Sequence, residues 1–137
     1  QAPDIPIFYE GSDKQATATL QKLAQSISFG QATPAKSEDR MKLHIAAVVV
    51  NNFTNHLYSL AEKYCRQEGI NFHQLLPLIE ETVKRLKTNS PSASMTGPAV
   101  REDQDTIDKH IEILKDHPPL QKVYQFLSES IRATHNP

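Results

Sequence analysis

The chain has 137 residues, one domain's worth by length, with 38% apolar residues and a formal net charge of −1. Its Lys and Arg residues are dispersed among acids, which speaks against a nucleic-acid surface, and its longest apolar run, residues 45–50, is far too short to span a membrane. Cys65 is the only cysteine, so an intrachain disulfide is excluded and a reducing, cytoplasmic setting is expected; the given N-terminus, which can be a cut end, does not read as a signal peptide.

Residues 5–10, Ile-Pro-Ile-Phe-Tyr-Glu, read as a short buried strand. Ser12 and Gln15 form a capping box, and Ala16, Leu20, Leu23, Ala24 and Ile27 follow at helical spacing. No second strand is evident. A lone strand cannot satisfy its own backbone groups, so it must pair with another copy or with a sheet outside the chain. The second option makes residues 1 to about 30 the tail of a larger α/β domain.

Residues 29–37 read as a connector containing Gly30, Thr33 and Pro34. Ser37 is a good N-cap, and Glu38 and Asp39 suit the first turn of a helix. A long helix then runs to about Glu68 and closes at Gly69, roughly 45 Å at about 1.5 Å per residue. Met41, Ile45, Val48, Val49, Phe53, Leu57, Leu60 and Tyr64 make its main apolar stripe. Ala46, Ala47 and Val50 make its middle apolar nearly all round, which calls for cover on most sides. A second subunit is the expected cover, giving a homodimer through this helix.

Asn71 and Gln74 suit a cap for the next helix, which carries Phe72, Leu75, Leu76, Ile79, Val83 and Leu86. Pro77 falls inside that pattern and is expected to kink it. Residues 88–102 are a loop. Asp103 caps a helix bearing Ile107, His110, Ile111 and Leu114. Pro118-Pro119 starts the last helix, with Leu120, Val123, Tyr124, Leu127 and Ile131 on one face. The sum is one strand and about five helices, with no internal repeat.

Two polar constellations stand out. At about 100° per residue, His44, Val48, Asn51, Asn55 and Glu62 project in a narrow sector of the long helix, with Asn52 and His56 beside it. Asparagine is a poor helix former, so three in five residues suggests that they are used. The strip is either a solvated or interhelical amide face, or a cleft wall in which His44 and Asn52 hold or protonate a carbonyl substrate. The second constellation is Thr96-Gly97-Pro98 with Arg101 and Asp103. It is either a turn and a helix cap, or a ligand loop. In the latter Gly97 permits close approach, Thr96 offers a hydroxyl and Arg101 binds a carboxylate or phosphate bidentately. Asp103 then either caps the helix or orients Arg101.

Other chemistry finds little support. The six histidines show no H-E-x-x-H spacing, so no metal site is expected. Cys65 lies near a helix C-terminus, where the dipole disfavours a thiolate, and reads as structural. The four glycines are too scattered for a dinucleotide or phosphate fingerprint.

Three segments, "SEDRMKLHIAAVVVNNFTNHLYSLAEKYCRQEGINFHQLLPLIEETV", "MTGPAVREDQDTIDKHIEIL" and "PLQKVYQFLSESI", resemble the helical C-terminal domain of a family of Rossmann-like NADP oxidoreductase-type proteins, a domain of unknown function. The family pattern opens the long helix with Arg and His, here Arg40 and His44, and continues with an Asn, here Asn52. A Leu-Thr-Gly-Pro loop leading to Arg-Gly-Asp matches Thr96, Gly97, Pro98, Arg101 and Asp103, and a His in the next helix matches His110. Met95 replaces the Leu and Glu102 the Gly, which makes the turn before Asp103 less free.

The resemblance spans about residues 37–131. It implies a mainly α fold like the C-terminal domain of 6-phosphogluconate dehydrogenase, with a long central helix after a leftover strand–helix unit of a Rossmann domain. On this reading residues 1–30 close the nucleotide-binding domain, and 31–137 form a dimerisation and substrate domain. In the relatives the N-terminal domain binds NAD(P) and the helical domain supplies substrate contacts and the dimer interface. The resemblance thus implies NADP or NAD in the full-length protein and none in this chain alone. It implies catalytic roles for His44 and Asn52, and substrate contacts from Thr96, Gly97, Arg101, Asp103 and His110. The contrasting expectation is a non-catalytic helical interaction module, because fold does not establish function. A stand-alone helical enzyme has no nucleophile–base or metal signature behind it.

Overall fold

A computed structural model describes residues 5–28 and 31–135. It divides into two compact units, Gln1–Asn55 and His56–Pro137.

The first unit opens with a strand–helix–strand. Strand β1 (Ile7–Tyr9) leads into helix α1 (Lys14–Ile27) and then strand β2 (Ala32–Pro34). The two strands pair in parallel, with Ile7 opposite Ala32 and Tyr9 opposite Pro34. The Ile7 N–H donates to the Gln31 carbonyl and the Ala35 N–H to the Tyr9 carbonyl, each at 2.9 Å. This corrects the expectation of an unpaired strand, and of an irregular connector over 32–34. Ala-Thr-Pro carries no apolar alternation. It is a strand because the helical crossover returns it beside β1, and a parallel pair needs such a crossover. Phe29 and Gly30, and the boundary expected at residue 30, lie outside the described residues. Beside that gap, buried Ser28 donates to the Ile5 carbonyl at 2.6 Å.

Two caps differ from the expected ones. Asp13, not Ser12, caps α1: its Oδ1 accepts from the Ala16 N–H at 2.8 Å. A carboxylate one residue nearer the helix is the stronger acceptor for an orphan N–H. Helix α2 (Ser37–Ala47) follows Lys36, which gives no side-chain cap. The Ser37 hydroxyl is diverted to a tertiary bond, donating to Glu10 Oε2 at 2.7 Å.

Helical structure continues beyond α2 without a break, but not as regular α-helix. Residues Val48–Phe53 form a π-helical turn before α3 (Thr54–Gln67). The Thr54 hydroxyl donates to the Val49 carbonyl five residues back, at 3.3 Å. No residue from Ser37 to Phe53 is buried, and Met41, Ile45, Val49, Val50 and Phe53 are each more than half exposed. The near-continuous apolar surface read from the sequence is therefore present and left open by the chain itself.

In the second unit, α3 ends where expected, with Gly69 in the left-handed region and the Ile70 N–H donating to the Cys65 carbonyl at 2.7 Å. Asn71 caps a 3-10 turn (Phe72–Leu75), accepting from the His73 N–H at 3.1 Å. Helix α4 (Leu76–Arg85) starts only then. Pro77 lies in its first turn and kinks nothing, because the N–H it lacks has no intrahelical partner there. A second 3-10 turn (Ser92–Ser94) leads through the Thr-Gly-Pro loop to α5 (Gln104–Ile113). A third (Leu114–Asp116) joins it to α6 (Pro118–His135). Cys65, Ala99, Ile107 and Leu114 are the buried apolar residues of this unit, joined by His117 and Ser128. The fold is mainly α after a small strand–helix unit. Among the described residues no helix is long and apolar enough to cross a membrane.

Candidate functional site

The expected site residues fall in both units. In the first, His44 lies exposed on α2 and Asn52 exposed in the π-helical turn. Asn52 Oδ1 faces the Asn51 amide nitrogen at 3.5 Å, too long to hold either side chain firmly. The wider turn also changes the phase of the helix, so a strip counted at about 100° per residue does not run unchanged through Asn51 and Asn52. Arg40, the other polar residue opening this helix, is already engaged. Its Nη1 donates to Glu10 Oε2 at 2.6 Å and to the Ala35 carbonyl at 2.8 Å, and its Nη2 to the Ser37 hydroxyl at 3.1 Å. The Ser37 hydroxyl, then the Arg40 guanidinium, hold the Glu10 carboxyl below its ordinary range.

In the second unit, the Thr-Gly-Pro loop is anchored by its own backbone. Gly97 has φ 114°, a conformation that favours glycine, and the space a side chain would fill there is open. One turn follows: the Arg101 N–H donates to the Gly97 carbonyl at 3.3 Å and the Asp103 N–H to the Pro98 carbonyl at 2.9 Å. Ala99 is buried, which fixes the loop to its unit. Glu102 closes the turn at φ 54°, left-handed for a residue with a Cβ. This is the position at which the family pattern has glycine.

Asp103 serves as the cap. Its Oδ1 accepts from the Thr106 N–H at 3.1 Å and its Oδ2 from the Thr106 hydroxyl at 2.8 Å. Those bonds hold its carboxyl below the ordinary aspartate value, with smaller help from the charges of Arg101 and Lys109. Arg101 makes no ion pair among the described residues; its side chain is exposed, as is that of Thr96.

His110 lies two turns beyond Asp103, so both belong to one side of α5. Its Nδ1 is 2.8 Å from the Tyr124 hydroxyl of α6, and the two rings meet edge to face at 5.6 Å between centroids. Burial pushes the Tyr124 phenol above its ordinary value; a hydrogen bond with Ser128 opposes this and the Asp103 charge adds to it. Asp103, His110 and Tyr124 thus share one electrostatic neighbourhood. A cavity of about 260 Å³ opens beside it, lined by Tyr64, His110, Ile113, Leu114, Leu120 and Tyr124.

Tyr124 is the residue that sequence reasoning placed only on an apolar face. The available signal was a hydroxyl-bearing ring on α6 matched by a histidine on the apolar face of α5. His117 was also missed. It is buried, with Nδ1 at 3.1 Å from Gln67 Oε1, Nε2 at 2.8 Å from Glu68 Oε1 and its ring edge-on to Tyr64. It ties the start of α6 to the end of α3. No cluster of three or more His, Cys, Asp or Glu side chains arranged for a metal ion occurs among the described residues.

Three helix N-termini among the described residues are poorly suited to a dinucleotide phosphate. Asp13 and Asp103 place carboxylates on the first N–H groups of α1 and α5, and Glu38 and Asp39 occupy the first turn of α2. Phosphate at any of these ends would meet negative charge.

Comparison with known proteins places this geometry in a family. None of the curated proteins matches the chain significantly. Among solved structures, the chain is similar to the "putative NADP oxidoreductase" BF3122 from Bacteroides fragilis, at 40% identity and a TM-score of 0.89, over 94% of this chain and 49% of that one. Protein TM1727 from Thermotoga maritima shares the fold at 23% identity and a TM-score of 0.68, over 90% of this chain and 50% of that one. The chain therefore spans about half the length of the solved structures it matches. The model of the family described as "Domain of unknown function (DUF2520)" matches residues 5–131, and the chain belongs to that family.

Proposed function

We propose that this chain is the helical part of an NAD(P)-dependent oxidoreductase, serving as its dimer interface and as one wall of its substrate cleft. The observation that carries this reading is the apolar surface of residues 41–53, where Met41, Ile45, Val49, Val50 and Phe53 stand more than half exposed. A surface of that kind marks an interaction site, and a second copy of the helix is its simplest cover. The two-stranded parallel sheet adds support. Parallel sheets are normally buried on both faces and larger than two strands, and here Phe8, Leu23 and Ile27 stay exposed. On this reading the strand–helix–strand unit completes a nucleotide-binding domain, so the boundary expected at residue 30 moves past β2 at Pro34, and the helices that follow form the helical domain. NADP or NAD is held by the remainder of the full-length protein, which also supplies the hydride chemistry.

In the first unit, His44 is assigned to donate a proton to a carbonyl or imine and Asn52 to orient it; in the second, Arg101 is assigned to hold an anionic group of the substrate. Thr96 and Gly97 line the approach, Asp103 fixes the loop at the helix end, and His110 completes the wall. A cytoplasmic location accords with buried, unpaired Cys65. The test is a screen of carbonyl and imine substrates with NADPH on the full-length protein, with Arg101→Ala as control, beside sedimentation of the chain at micromolar concentration. A monomer, or turnover untouched by Arg101→Ala, overturns the corresponding half of the reading. One observation favours a purely structural module instead: both Asp103 oxygens are spent on Thr106. Unchanged turnover in the His44, Asn52 and Arg101 alanine variants would decide for it.

A further inference from the structure

The cavity between α5 and α6 has the make-up of a small-molecule site. Ile113, Leu114 and Leu120 give it apolar walls, and Tyr64, His110 and Tyr124 bring polar groups to it. Ligand pockets are built this way, mostly apolar with a few convergent hydrogen-bonding groups. At about 260 Å³ it suits a ligand with a single ring rather than a nucleotide.

The hydrogen bonds fix which atom faces the ligand. His110 Nδ1 is taken by the Tyr124 hydroxyl at 2.8 Å. A phenol is a strong donor and a weak acceptor, and a bare imidazole nitrogen a strong acceptor, so the Tyr124 proton goes to Nδ1. The neutral imidazole must then carry its own proton on Nε2. No partner occupies Nε2 among the described residues, and His110 is exposed. The pocket therefore offers one directed N–H donor on an apolar floor. Among the described residues no Lys or Arg side chain lines the pocket, so a charged ligand would lack a counter-ion on its apolar floor.

We propose that this pocket binds a small, neutral, ring-sized carbonyl compound, whose oxygen accepts from His110 Nε2 while Tyr124 acts as the positioning residue for the imidazole. The inference takes His110 from the cleft-wall reading, adds Tyr124, and assigns this pocket a ligand of its own, distinct from the anionic substrate proposed for Arg101. It is tested on this chain without cofactor, so either can fail while the other stands.

The probe is cyclohexanone, titrated into isotope-labelled protein and followed by NMR. Saturable shifts are expected at the Ile113, Leu114 and Leu120 methyl groups and at His110 Nε2, with a dissociation constant of about millimolar order. His110→Ala should weaken binding roughly tenfold, the loss expected for one hydrogen bond. The ring-nitrogen shifts of the unmodified protein should report the Nε2-protonated tautomer. Tyr124→Phe, which keeps the ring, should mix the tautomers and weaken binding while leaving the fold intact. Methylcyclohexane binding equally well would overturn the role of the N–H donor, and cyclohexanecarboxylate binding more tightly would overturn the neutral ligand. Absence of saturable shifts at the pocket, or an Nδ1-protonated ring in the unmodified protein, would overturn the proposal as a whole.

Discussion

The Arg40 guanidinium lies 2.6 Å from the Glu10 carboxylate, joining the start of α2 to the residue that follows β1. The Ser37 hydroxyl completes the triangle at 2.7 Å from the same oxygen. Both side chains of the ion pair remain partly exposed, so the contact registers the helix on the strand more than it stabilises the fold.

Acid should loosen the protein through such groups. Glu10, Asp13 and Asp103 all have folded-state values lowered from their ordinary ones, by Ser37 with Arg40, by the Ala16 N–H, and by Thr106. A lowered folded value means that the unfolded chain takes up protons first as pH falls. Their contribution is fully present above the ordinary carboxylate range and is lost as pH drops from there through the lowered values. Thermal unfolding followed by circular dichroism should show a plateau near neutral pH and a falling midpoint below about pH 5.

Glu102→Gly should stabilise the chain. Glu102 holds φ 54°, which costs a residue with a Cβ about 1 kcal/mol relative to glycine. The side chain is exposed and makes no ion pair among the described residues, so little is lost with it. Denaturant unfolding should give a higher midpoint with an unchanged slope.

Phe53→Glu should break self-association. Phe53 is 58% exposed in the chain alone, inside the open apolar surface. A carboxylate there would be desolvated without a partner in a dimer interface, at several kcal/mol. Sedimentation should show the unmodified chain as a dimer and the variant as a monomer, with helical content retained.

His117→Ala should destabilise the second unit by about 1–3 kcal/mol, the usual cost of losing a buried hydrogen-bonded side chain. Both ring nitrogens have partners, Gln67 and Glu68, and the ring packs on Tyr64. Calorimetry on the two proteins would measure it.

Arg101→Ala should separate function from stability. The exposed guanidinium has no ion-pair partner among the described residues, so the unfolding midpoint should stay within about 0.5 kcal/mol. If the proposed function holds, an anionic substrate of the full-length protein should lose at least tenfold in kcat/KM, as expected for a charge-assisted contact.

The sequence by itself determined the helices and where most of them end. Gly69 stops α3, Asp103 starts α5, and the apolar spacing marks α1, α5 and α6, because helices follow from local periodicity and from the few groups that cap them. It also determined that residues 41–53 carry a nearly continuous apolar surface, and that His110 lies on the helix Asp103 caps. Tertiary structure decided the rest. Strand β2 exists only because β1 lies beside it, since Ala-Thr-Pro has no strand signal of its own. Ser37 left its cap for Glu10 because a partner distant in sequence outbid the local one. The π-helical turn over Val48–Phe53 shifted the phase that regular helical counting assumes. The pairing of His110 with Tyr124, fourteen residues on and across a Pro-Pro break, depends on how α5 packs against α6. Such contacts join residues whose separation along the chain carries no information about their separation in space.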